Sequence, residues 1–345
     1  MSLREANRLH RIALLAGALL LFAFQIASPS FADDSSAALG AGGLVLTQAA
    51  DIRMAKEDLY LSPHQVRVRF EFANDGAKDI DTIVAFPLPD IDTDKFYHEP
   101  IGTMTDDPVN FVGFSVVADG QGVTPRIEQR AFYQGKDVTA ILDSAQIPVN
   151  VASSKYDQFM LHLSPARAKA LESAGLADHE GGDGEEPHWI VRTKFWWRQS
   201  FPAGKTVVLE HSYRPVTGQS FFVAQYVGPK PSEDGAYYVK NYCIDAATRR
   251  SIAARFESNA GKLDESRLLL AFATDYILMS GNNWKGPIGH FHLAIDKEKP
   301  DNILSLCWDG DLKKTGATMF ETTRDNFAPK QDIKLLVLQN GPPGG

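Results

Sequence analysis

The chain has 345 residues, is 44% hydrophobic, and sets 35 Lys and Arg against 43 Asp and Glu for a formal charge of −8. An acidic chain without a basic stripe carries no footprint for nucleic acid and no Lys/Arg cluster that would draw it to an anionic lipid surface. Its apolar fraction is that of a globular protein with sizeable cores.

The first 32 residues read as an export leader. Arg4, Arg8 and Arg11 form a basic head, 12–26 is an almost wholly apolar run, and Ser30-Phe31-Ala32 offers small residues where a signal peptidase reads. An apolar run of about 15 falls short of the roughly 20 residues a spanning helix needs, so cleavage before Asp33 is expected, with no stable membrane insertion afterwards. No cysteine lies near that junction to carry a lipid. Cleavage removes three Arg and one Glu, which moves the charge from −8 to −10. The mature protein is expected in the periplasm or outside the cell.

Strands follow at 43–47 and 51–61. The clearest is 66–72, where Val66, Val68, Phe70 and Phe72 alternate with Arg67, Arg69 and Glu71, the period of a half-buried strand. Asn74-Asp75-Gly76 supplies turn residues, so 80–86 is expected to return as the second arm of a hairpin. Pro87 and Pro89 end the pairing. A further pair is expected at 111–118 and 124–131, joined at Asp119-Gly120.

Between about 137 and 178 the pattern turns helical. A short helix opens at Asp137 and stops before Pro148. A second has Ser164 as N-cap and Pro165 at its first position, and fades at Gly175. The segment 179–187 is acidic and Gly-rich and reads as a solvated loop. Along 191–201, Val191, Thr193, Phe195, Trp197 and Phe201 share one face, and Arg192, Lys194, Trp196 and Arg198 the other. Phe201-Pro202-Ala203-Gly204 then turns the chain into 207–213. Pro229–Gly235 is the expected hinge. Beyond it the sequence predicts a helix within 246–257 and strands at 270–279, 288–295, 303–308, 317–322 and 333–338.

Cys243 and Cys307 are the only cysteines. In an oxidising compartment an even pair is most simply a disulfide, with two free buried thiols or a thiolate metal site as alternatives. Asp90, Asp92 and Asp94, followed by Asp106 and Asp107, gather carboxylates that suit a hard cation such as Ca2+, although the glycine and terminal glutamate of an EF-hand loop are missing. The other reading is a plain acidic surface loop. His290 and His292 share one side of a strand and could hold a metal, yet no third ligand is nominated. The alternative is two exposed histidines. His211 falls on the apolar face with Val207, Leu209 and Tyr213 and is expected to be a hydrogen-bonded core residue. Trp196 stands on the polar face between Lys194 and Arg198. It is either held by cation–π contact with those neighbours or serves, with Arg198, as a stacking platform for a sugar or a partner's aromatic ring.

Several strings resemble a secreted bacterial family known as domain of unknown function 4424. They are Asp33-Asp-Ser-Ser-Ala, Gly42-Gly-Leu-Val-Leu, Glu57-Asp-Leu-Tyr-Leu-Ser-Pro, Val84-Ala-Phe-Pro-Leu-Pro-Asp, Tyr242-Cys-Ile-Asp, Asn283-Trp-Lys-Gly-Pro-Ile-Gly and Asn326-Phe-Ala-Pro. The resemblance spans nearly the whole mature chain and implies architecture and location without an activity. The N-terminal half is also similar to the vault/inter-alpha-trypsin domain, through its Phe-Pro-Leu-Pro string, Gly113-Phe114, the Asp119-Gly120 turn and a closing strand pair over 195–213. That likeness implies a β-sandwich used for association.

The sequence therefore predicts an all-β protein. It would have two sandwich-like domains, 33–217 with a helical insertion at 137–178, and 218–340, before a disordered tail at 341–345. The expected function is a non-enzymatic binding or assembly module of the cell envelope, without a required cofactor, whose partner is another protein or an envelope polymer. A metal-stabilised protein and a hydrolase with a dispersed active site are the alternatives.

Overall fold

The computed structural model describes residues 35–40, 43–47, 51–88, 90–94, 101–102, 105, 107–151, 160, 162–178, 186–260 and 268–341. The expected leader, residues 179–185 of the acidic segment 179–187, and residues 342–345 of the expected tail lie outside them. The fold is all-β, with strands gathered in three main sheets and one two-stranded ribbon.

The largest sheet has eight strands, in the order Lys313–Lys314, Met319–Phe327, Ile288–Asp296, Ile52–Leu61, Val66–Asn74, Thr206–Tyr213, Ser115–Ala118 and Gln121–Val123. All its ladders are antiparallel except one. Ile288–Asp296 runs parallel to Ile52–Leu61, with His290 opposite Lys56 and Ile295 opposite Leu61. A seven-stranded sheet centres on Ile190–Phe201, flanked by Arg126–Tyr133 and Ile80–Pro87. A five-stranded sheet is built mainly from Ile303–Leu306, Ile333–Asn340, Leu269–Tyr276 and Thr217–Phe222, with Ile101–Gly102 at its edge. Two of the three sheets thus combine strands from both sides of position 217.

One continuous core links these layers. Phe70, Phe72 and Leu209 of the large sheet join Phe86, Phe195 and Phe201 of the seven-stranded sheet, and Phe291 and Leu293 join Tyr276, Leu335 and Val337 of the five-stranded one. The seven- and five-stranded sheets therefore share the inner face of the large sheet. A second core lies between the five-stranded sheet and two helices, Glu233–Asn241 and Ala246–Asn259, through Phe222, Tyr242, Ile252 and Leu336. Ser232 and Asp245 cap those helices, accepting from Gly235 N at 3.3 Å and Thr248 N at 2.7 Å. The predicted disulfide forms between Cys243, in the link between the helices, and Cys307, after the Ile303–Leu306 strand.

Strand phase in the large sheet depends on a bulge. Ile52 and Met54 face the core, the register shifts between Met54 and Lys56, and the buried set becomes Glu57, Leu59 and Leu61. The extra residue flips every later side chain to the opposite face. It places Glu57, 0% exposed, in the interior, where Tyr276 Oη donates to its Oε1 at 3.2 Å. Gly289 makes room for the bulge, because a Cβ there would sit 2.5 Å from the Ala55 carbonyl oxygen.

Two expected hairpins are instead crossings between sheets. Val66–Asn74 pairs with Ile52–Leu61 and Thr206–Tyr213, while Ile80–Pro87 pairs in the seven-stranded sheet. Five successive buried residues, Ile83 to Pro87, mark a strand covered on both faces. The Phe201–Gly204 turn is the matching corner. Asn74 Nδ2 donates to the Lys78 and Phe201 carbonyls, each at 2.8 Å, and Gly204 N donates to Asn74 O at 3.0 Å. Polar turn residues satisfy a sheet corner as well as a hairpin, which is why the sequence did not separate them. Asp119-Gly120 does turn the chain, both residues at positive φ, but into the short Gln121–Val123 strand. Arg126–Tyr133 leaves for the other sheet.

The helical insertion is present as Thr139–Ser144 and Pro165–Ser173, the second with Pro165 in its first turn and Ser164 at its N-cap. Helix Glu233–Asn241 was not expected, because the Pro- and Gly-containing stretch before it reads as a hinge.

Gly289→Ala is expected to cost about 1–3 kcal/mol in urea unfolding, through the forced shift at Ala55. Replacing both cysteines by serine should cost up to about 4 kcal/mol by the chain-entropy argument for this loop, read as a lower thermal midpoint than wild type.

Candidate functional site

The outer face of the large sheet carries the densest set of polar contacts. Alternation places Lys56, Asp58 and Tyr60, then Arg67, Arg69 and Glu71, then Glu210 and Ser212, on the side away from the core. Lys56 pairs with Asp58 at 2.7 Å, and Arg69 with Glu71 at 2.5 Å and Glu210 at 3.4 Å. Tyr60 Oη donates to Asp296 at 3.1 Å, and the Arg67 guanidinium lies over the Tyr60 ring at 4.2 Å. Burial, and then the charge of Asp296, hold the Tyr60 phenol above its ordinary range, so it stays protonated and donates.

Two depressions share Tyr60 and Ser212 and so form one groove. One of about 350 Å3 is bounded by Asp58, Arg67, Arg69, Ser115 and Glu210. The other, of about 1050 Å3, runs past His64, Gln65, Thr105, Gly113 and Glu298. Glu298 sits there at a φ of +68°, a left-handed conformation that is costly for a residue with a Cβ. Its N–H donates to Asp296 Oδ1 at 2.8 Å, and its carboxylate meets His64 Nδ1 at 2.8 Å.

His290 and His292 emerge on this same face, as expected, and each meets a carboxylate. His290 Nδ1 is 2.7 Å from Asp325, while His292 faces Asp58 at 3.4 Å and Glu321 at 3.8 Å. The aspartates of the 90–107 segment are dispersed. Asp90 pairs with Arg192 at 3.0 Å, and Asp107 accepts from Val109 N and Asn110 N. Asp106 lies outside the described residues. Asp94 and Asp178 flank His188, at 3.2 Å from Nδ1 and 2.9 Å from Nε2, in a shallow pocket with Asp92. Each ring nitrogen of His188 thus faces a carboxylate oxygen. Among the described residues, no group of three or more His, Cys, Asp or Glu converges as a metal ion would require.

Trp196 and Trp197 take the faces expected of them. Trp197 is buried; Trp196 is half-buried over Ile83 and Ala85. The cation on the Trp196 ring is Arg126, at 5.0 Å, its cross-strand partner. Lys194 turns to Glu128 at 3.7 Å, and Arg198 is exposed. Arg126 went unnoticed in the sequence because its strand was expected to pair elsewhere.

His211 is buried among Phe70, Phe86, Phe114 and Trp197, with ring centroids 5.1–5.6 Å away. Burial lowers its pKa from 6.5 to about 3, so the imidazole is neutral across the physiological range and is part of the packing.

The chain matches the family described as "Domain of unknown function (DUF4424)" over residues 32–336, and it belongs to that family. No curated protein sequence matches it. Among solved structures it is similar to a Legionella pneumophila protein provisionally described as nutrient binding, at 15% identity and a TM-score of 0.43, covering 88% of this chain and 72% of that one. Two forms of an M1 zinc metallopeptidase from Deinococcus radiodurans give TM-scores of 0.19 at 8% and 9% identity. Each alignment covers 85% of this chain and 43% of the peptidase. At these values neither likeness carries a function across. Among the described residues no helix is long and apolar enough to cross a membrane.

Below about pH 6.5 an unfolded His211 takes up a proton that the folded protein refuses until about pH 3. Stability should therefore fall with decreasing pH in that window, by up to about 1.4 kcal/mol per pH unit from this group. His211→Leu should remove that slope, so the wild-type advantage in urea unfolding shrinks as the pH is lowered. A pH-independent difference would contradict the assignment.

Proposed function

We propose that this member of the DUF4424 family is an exported, non-enzymatic binding or assembly module of the cell envelope, acting in the periplasm or outside the cell. The leader-like first 32 residues support export, and the Cys243–Cys307 disulfide fits an oxidising compartment. The observation that carries the reading is the groove through Tyr60 and Ser212 on the outer face of the large sheet. It is shallow and open and lined by pre-paired charges, which suits a macromolecular partner or an extended polymer. Trp196, Arg126 and Arg198 offer a second contact strip on the seven-stranded sheet.

Immobilised 33–345 protein, challenged with envelope extract and with purified envelope polymer, tests this reading. Wild type should retain a defined component, and Tyr60→Ala should lose at least about tenfold of it with its fold intact, the loss expected when an aromatic anchor is truncated. Trp196→Ala reports on the second strip. Retention of nothing, or equal retention by wild type and both variants, would overturn the proposal.

A further inference from the structure

The charges around the groove do not balance uniformly. Asp58 is met by Lys56, Glu71 and Glu210 by Arg69, and Glu298 by His64. Arg67 differs from Lys56 and Arg69. It is exposed, and among the described residues its guanidinium contacts the Tyr60 ring without a carboxylate within ion-pair distance. Stacking occupies the flat face of a guanidinium and leaves its in-plane N–H fork open, the geometry that grips a carboxylate or phosphate with two parallel hydrogen bonds.

The stack is also held in place. Tyr60 is anchored through Oη to Asp296, and the other Asp296 oxygen accepts from the Glu298 N–H. Arg67 is therefore supported by a turn whose strained residue lines the same groove. Ser212 is the cross-strand partner of Arg67. Its Oγ accepts from Gln65 Nε2 at 3.5 Å and has its own proton left to give, while Ser115 Oγ donates to the Ser212 carbonyl at 3.2 Å. A planar fork and a hydroxyl donor thus face one depression of about 350 Å3 that opens into the longer trough beyond Tyr60.

We propose that Arg67, stacked on Tyr60, and the Ser212 hydroxyl form an oxyanion subsite that binds a carboxylate or phosphate group of the ligand, with the remainder of the ligand lying along the trough past Gln65 and Gly113. This rests on the binding reading above and adds a ligand chemistry to it: an acidic ligand on a protein that is itself acidic. Long-range electrostatic repulsion would oppose such an encounter, so recognition depends on the local fork and hydroxyl.

Isothermal titration of the 33–345 protein with inorganic phosphate and, separately, with galacturonate tests the subsite. At least one probe should bind saturably. Arg67→Gln should weaken it by at least about tenfold, and Arg67→Lys by an intermediate factor, because charge is kept and the fork is lost. Ser212→Ala should weaken it as well, and Arg250→Gln, an exposed arginine on a distant helix, should leave it unchanged. Binding of phosphate alone points to a phosphorylated ligand, and of galacturonate alone to an acidic saccharide. Arg67 is exposed, so the Gln variant should keep the wild-type melting temperature. Absence of saturable binding to both probes, or equal affinity in wild type and Arg67→Gln, would overturn the proposal. Envelope capture that persists in Arg67→Gln without anion binding would remove the subsite and leave the binding module standing. Anion binding without any envelope capture would do the reverse.

Discussion

The parallel ladder between Ile52–Leu61 and Ile288–Asp296 is the constraint on which the rest of the structure depends. It joins strands more than 200 residues apart in the chain and makes one eight-stranded sheet from both halves. Parallel neighbours need a long crossover, and here the crossover contains five strands of the seven-stranded sheet, the described helices and part of the five-stranded sheet. The ladder closes only because Gly289 lets the Ala55 carbonyl approach. The bulge at that point sets the phase that sends Glu57 inward to Tyr276 and Tyr60 outward to Asp296. A slip of one residue would exchange those faces.

With both smaller sheets on the inner face, the outer face of the large sheet is left for polar contacts. Stability comes from the apolar side, where Phe72 meets Trp284 at 4.2 Å and Phe114 meets Phe195 at 4.5 Å. Half-exposed ion pairs such as Arg69–Glu210 add little to that, generally below about 1 kcal/mol each. Their effect is geometric: they hold long side chains still, while the Arg67 fork meets no carboxylate among the described residues. The groove is thus a by-product of how the core side is covered, and its chemistry is set by cross-strand neighbours.

Strand existence and facing were largely legible because the period-2 pattern is strong along 66–72 and 191–201. Pairing was not. Asn74-Asp75-Gly76 and Phe201–Gly204 satisfy their backbone groups equally well in a hairpin or at a sheet corner, so local chemistry could not choose. Turn-forming composition nominated a hinge at 229–235, and composition carries no trace of a ladder that joins strands on either side of it. The groove was hidden for the same reason. Arg67 and Tyr60 are recognisable only as outward residues, and Ser212 is an unremarkable serine until it lies opposite Arg67. The strings behind the family resemblance mostly mark fold-making positions: Trp284 packs on Phe72, Cys243 forms the disulfide, Asp245 caps a helix, and Asn326 supplies a positive φ before Phe327 stacks on Phe291. Such positions identify architecture and are silent about ligand.

The joining of the two halves through this ladder is tested most directly by hydrogen exchange across a urea titration, followed in peptides covering 66–74 and 333–340. These segments lie in different sheets and on opposite sides of the 217/218 division, yet share one core. The account predicts that both lose protection at a single common urea midpoint. Two well-separated midpoints, with one segment still protected after the other has opened, would contradict it.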